Sequence, residues 1–163
     1  PAAITLEAAQ QQNLFNAPPI RAIFKAREVV MGATAGDQPQ VGGLLDTVRS
    51  LGWRVLAEIP GREMVVGAVT KPWEANVTFH GIAADEFAAF AAPGFVKIAW
   101  TLRADPLPNG GSVFRTETRA VATDEASRVR FRRYWALASP GIALIRRMSL
   151  GPLARSAQAR ARA

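Results

Sequence analysis

The sequence has no cysteine, one histidine and one tyrosine. Without cysteine there is no disulfide, no thiol chemistry and no thiolate zinc site, which fits a reducing compartment. His80 is the sole histidine, so one side chain alone has an unperturbed pKa near neutrality. No apolar run approaches the roughly 20 residues that cross a bilayer, and no basic-then-apolar leader opens the chain. The expected location is therefore the cytoplasm, with no transmembrane segment. Nucleophile elbows, glycine-rich phosphate loops and spaced histidine and carboxylate metal ligands are also lacking. Gly61-Arg62-Glu63 and Gly110-Gly111 are turn chemistry, and neither a cofactor nor a metal is expected.

What is present is a chain of 163 residues, expected to form one domain over residues 1–163 and to bury about two-thirds of its unfolded surface. Its net charge of +7 comes mostly from arginine, gathered near the end at Arg128, Arg130, Arg132, Arg133, Arg146, Arg147, Arg155, Arg160 and Arg162. Such a cluster can mark a nucleic-acid or anionic-membrane surface. Here the arginines fall around the polar side of a helical pattern, so no nucleic-acid partner is expected. An interaction module using that basic face is kept as an alternative.

The chain is organised around its last third. Residues 112–123 alternate as a strand, and from Glu125 apolar residues recur at helical spacing. Phe131, Trp135, Ala138, Ile142, Ile145 and Ser149 mark the stripe, widened by Tyr134, Leu137 and Met148. Asp124 stands between strand and helix, where a short acidic side chain can accept bonds from the first free amides. Pro140-Gly141 predicts a kink or a short break, and residues 156–163 are expected to be a disordered tail. On the strand, Arg115, Glu117 and Arg119 share a side with Val113 and Val121. The plain reading is a solvated surface that neutralises itself; the sharper one is a polar patch inside a cavity.

Earlier elements follow from the same rules. Residues 4–12 read as a short helix, and Pro18 and Pro19 break the chain after a turn at residues 16–17. A second helix carries Ile20, Ile23, Phe24, Arg27 and Met31 on one face, closed by Gly32. Residues 33–39 form a polar connector, and residues 43–50 one or two helical turns stopped by Gly52. From residue 53 the period becomes two. Trp53, Val55, Ala57 and Ile59 share one face of a strand that turns at Pro60-Gly61 into residues 62–70. A short strand over 76–80 and a helix over 83–91, with Phe87, Phe90 and Ala91 on its apolar side, precede a strand bearing Val96, Ile98, Trp100, Leu102 and Ala104. Residues 106–111 hold a hairpin signal, so that strand and the one from Ser112 should pair antiparallel. The expected class is α+β, a curved antiparallel sheet packed on a long C-terminal helix.

In that order, GWRVLAEIPGREMVVGAV and the segment TETR…TD…SR…F..YW resemble the START-like helix-grip superfamily, of polyketide-cyclase and lipid-transport type, in its bacterial branch. The resemblance covers the chain from about Trp53, and more weakly the second helix. It implies a cavity between sheet and helix that takes a small hydrophobic molecule, with Trp53, Trp73, Trp100, Phe114, Tyr134 and Trp135 as candidate lining residues; each has core packing as its alternative. Some relatives are cyclases or dehydratases with acid and base groups in the pocket. For such an enzyme on an aromatic or polyketide-like substrate, His80 and Glu117 are the candidate catalytic residues, with Asp85 a further carboxylate. Domains of this kind open with a strand beside the last ones, and residues 1–12 do not read as one. A sheet short of that strand would expose an edge and invite a homodimer through it.

Overall fold

The computed structural model describes residues 1–13, 18–32 and 42–162, without the side chains of residues 19, 24, 27, 28, 30 and 31. The expected turn at residues 16–17, the connector at 33–39 and the Phe24, Arg27 and Met31 positions of the second helix's apolar face lie outside what is described. The elements are α1 (Ala2–Gln11), α2 (Pro18–Met31), α3 (Leu44–Ser50), β1 (Arg54–Ile59), β2 (Glu63–Thr70), β3 (Phe79–His80), α4 (Ala84–Phe87), β4 (Val96–Pro106), β5 (Ser112–Ala122) and α5 (Glu125–Arg162). This is the expected α+β arrangement: an open five-stranded antiparallel sheet, a long C-terminal helix packed on it, and short helices at the start.

Strand order is β1-β2-β4-β5, with β3 pairing the end of β2 beside β1. β4 and β5 pair without interruption from Val96 opposite Ala122 to Pro106 opposite Ser112. Because opposed residues share a face, the register fixes two surfaces. The inner one carries Met64, Val66, Ala68 and Thr70 of β2, Val96, Ile98, Trp100, Leu102 and Ala104 of β4, and Phe114, Thr116, Thr118, Ala120 and Ala122 of β5. The outer one carries Glu63 and Val65, Thr101, Arg103 and Asp105, and Arg115, Glu117 and Arg119. Among the described residues no strand lies beyond β5, and residues 2–11 are the helix α1.

Two buried clusters cover the inner face. Leu6 of α1 and Leu44 and Val48 of α3 pack on Leu102 and Ala104. Ala8 and Ala9 of α1 pack on Leu153 and Ala157 of α5, and Phe114 touches both clusters. α5 continues to Arg162: Leu153 and Ala157 are docked on α1, Arg160 pairs with Glu7 at 3.5 Å, and residues 158–162 are exposed. Pro140 does not break α5. A proline frees the carbonyl four residues before it, and Ala136 and Pro140 are both exposed, so water can take that bond.

Three further expectations change. The shared face of Trp53, Val55, Ala57 and Ile59 is interrupted by a bulge between Val55 and Ala57, which leaves Ile59 56% exposed. Leu56 then lies over Gly67, where a Cβ would clash with its Cδ1. The third strand is only two residues long, because the Thr78 carbonyl accepts from the buried Thr70 hydroxyl at 2.7 Å rather than from a ladder amide. The helix α4 stops at Phe87, and Phe90 leaves it to meet Phe95 edge-on at 5.8 Å.

Candidate functional site

The launch of α5 decides what lies beneath it. Asp124 accepts from the backbone amide of Ser127 and from the Ser127 hydroxyl, both at 2.8 Å, and from the amide of Gly94 across the chain. Those bonds, that from Gly94 foremost, lower the Asp124 carboxyl from its usual value to about 2. Thr123 adds a second tie, donating to the Phe95 carbonyl at 3.0 Å. The helix start is thus fixed to the residues that lead into β4, with Asp124 capping it as the sequence predicts.

Coverage of the inner face is uneven. Met64, Val66, Ala68, Val96, Leu102 and Ala104 are buried, whereas Ile98, Trp100 and Thr118 are half-buried and Ala120 is exposed. Two polar contacts mark this less covered part. The Trp100 indole donates to the Thr116 hydroxyl at 2.7 Å, and the Arg146 guanidinium of α5 donates to the Thr118 hydroxyl. Burial holds the Arg146 pKa below its usual value. Beside it on α5, the Ser149 hydroxyl donates to the Arg146 carbonyl.

Two concavities lie elsewhere. On the outer face a trough of about 970 Å³ is lined by Glu63, Arg103, Asp105, Arg115, Glu117 and their neighbours. Its charges neutralise one another: Asp105 meets Arg103 at 2.7 Å and Arg115 at 3.0 Å, and Glu117 meets Arg119 at 2.8 Å. These are exposed pairs and contribute little to stability. They do keep the Asp105 and Glu117 carboxyls below their usual values, through the bonds from Arg103 and Arg119 respectively. The second concavity, about 640 Å³, is lined by Arg49, Trp53, Arg54, Phe79, His80 and Gly81.

No protein-family model matches the chain, and no match was found among curated proteins or solved structures. The architecture itself, an antiparallel sheet with a long C-terminal helix packed on it, is compatible with a helix-grip fold.

The candidate residues do not converge on one place. Trp100 and Phe114 share the inner face and pack on the same cluster as Trp53, which also stacks on Phe79 at 5.2 Å and lines the smaller concavity. Tyr134 and Trp135 flank Phe131 on α5 at 6.3 and 5.7 Å, with Trp135 38% exposed. Trp73 sits in the link from β2 to β3. His80 is exposed, edge-on to Phe95 at 6.0 Å, in the smaller concavity, which has no carboxylate in its lining. Glu117 belongs to the outer trough and Asp85 to α4, lining neither concavity. An acid and base pair is therefore not assembled from His80 and Glu117: strand alternation turns Glu117 outward into its own ion pair. Sequence reasoning passed over Arg146, Thr116 and Thr118. Arg146 was grouped with the solvated arginines by charge, although it lies four residues from Ile142 and three from Ser149, on the apolar stripe itself.

Proposed function

We propose that the protein binds and carries a small apolar molecule on the inner face of its sheet, beneath α5, as a member of the helix-grip superfamily it resembles. The observation that carries this reading is the uneven burial of that face. Ile98, Trp100, Thr118 and Ala120 lie on the face of β4 and β5 against which α5 packs and are not sealed, while neighbours on the same face are buried. Apolar and aromatic walls with a few placed polar groups are what small-molecule sites generally present. An enzymatic role on an aromatic or polyketide-like substrate has less support, since His80 has no carboxylate in its concavity.

Native mass spectrometry of the protein purified without detergent, followed by solvent extraction, tests the proposal. The expected result is one class of apolar molecule approaching one per chain. A chain that flies unliganded, and gives no saturable fluorescence rise with phenylnaphthylamine, would sink it. The basic-face alternative is supported by the exposure of Arg130, Arg132, Arg133 and Arg147 on α5, and it requires binding to anionic polymers that falls steeply with salt. The open edge of β5 supports pairing with a second copy, which sedimentation across a range of protein concentrations reads directly.

A further inference from the structure

A charged group needs either water or a counter-charge; Arg146 is half-buried and, among the described residues, has no acid beside it. On the inner face of β2, β4 and β5 every residue is apolar, threonine or serine. On α5 the only acidic residue is Glu125, at the far end and paired with Arg128. Among the described residues no carboxylate pairs with Arg146, and its one hydrogen-bond partner is the Thr118 hydroxyl. A guanidinium has five N–H donors in a planar fork, so most of them are left to water or to a ligand. Thr118 pairs with Trp100 across the strands, and Ile98 and Ala120 oppose each other one step along. The fork therefore opens beside the apolar surface that is least covered.

The geometry points to Arg146 as the anchor for the carboxylate of an amphipathic ligand, whose apolar body lies along Ile98, Trp100 and Ala120. This rests on the reading of the inner face as the ligand site and adds the ligand's class to it: a monoanionic organic acid with an acyl or aromatic body. One guanidinium fork matches one carboxylate in charge and shape. A doubly charged phosphate would carry a surplus charge onto a face with nothing to meet it. The Thr118 hydroxyl, which now accepts from Arg146, is placed to orient the fork.

The test compares dodecanoate with dodecanol, both below the concentrations at which they aggregate, by calorimetry and by tryptophan fluorescence on the purified chain. The wild type is expected to prefer the acid by about tenfold or more, the range of a charge-assisted pair. Arg146→Gln should bring the acid down to about the level of the alcohol, with an unchanged circular dichroism spectrum showing that the variant is folded. Arg146→Lys should restore part of the preference, since lysine keeps the charge and loses the fork. Arg147→Gln, at an exposed neighbour, should retain the preference and so separate a local contact from the overall charge of +7. Equal affinities in the wild type, a preference that survives Arg146→Gln, or one lost equally in Arg147→Gln would overturn the anchor alone. Binding of neither probe would overturn the ligand site together with it.

Discussion

Leu153→Ala puts the docking of the last turns of α5 to a quantitative test. Leu153 is 4% exposed, while Leu150, one turn earlier, is 44% exposed. Both substitutions make the same change of helix propensity, so their difference isolates burial. Truncating a buried leucine costs the transfer of the lost carbons plus the cavity left behind, and the total depends on how far the walls collapse. Around Leu153 the walls are Ala8, Ala9 and Ala157, with Phe114 alongside. Alanines have no rotamers with which to refill space, and only Phe114 can move. Leu153→Ala should therefore cost about 3 kcal/mol, and Leu150→Ala no more than about 0.5 kcal/mol. Urea unfolding followed by circular dichroism reads the loss as a lower midpoint at unchanged slope; thermal melting should fall by roughly 6 to 12 °C for a chain of this length. Equal losses at the two positions, or a loss under about 1 kcal/mol at Leu153, would show that α5 beyond Pro152 is not docked on α1.

Two further outcomes follow from local geometry. Asp124 has a folded pKa of about 2, depressed from its usual 3.8, so its contribution is fully present above about pH 4 and is lost as the pH falls toward 2. Asp124→Asn should therefore be less stable than the wild type near neutrality and approach it in acid; a gap that stays constant down to pH 2 would refute the assignment. Gly67→Ala would push a methyl against Leu56 and should cost about 1 kcal/mol. Most of that should return in the double variant with Leu56→Ala, because the two sites are in contact; additive losses would mean that the bulge does not seat Leu56 over Gly67.

Most of the sheet was legible because period-two patterning is local. Trp100 and Phe114 on one face, and Arg115, Glu117 and Arg119 on the other, follow from alternation alone, and Asp124 announces the start of α5 by its chemistry. What was not legible depends on partners distant in sequence. The β1 face was misread because a bulge shifts register by one residue, and only pairing with β2 shows where it falls. The docking of Ala157 is not visible locally, because it is buried against alanines of α1 more than a hundred residues away. His80 and Glu117 were grouped by chemical type, and the sheet places them in separate concavities.

The two faces of the sheet explain why Arg146 escaped a reading that placed the other charges correctly. A strand sorts its residues in two: each side chain is on one face or the other, so β5 keeps Arg115, Glu117 and Arg119 outside, and the inner face receives no charge at all. A helix advances about 100° per residue, so its stripe has borders rather than a boundary. Residues on a border are sorted by reach, and a long arginine stem can lie along apolar surface while its head finds a polar group. The charge that enters the inner face thus comes from a helix, whose periodicity permits it. It enters where the sheet offers a hydroxyl and no acid, and among the described residues no carboxylate pairs with it, which leaves its counter-charge to solvent or to an anion. Placing the carriage reading and the anchor on this one position means that a single substitution, Arg146→Gln, can separate a site that selects acids from one that merely accepts apolar molecules.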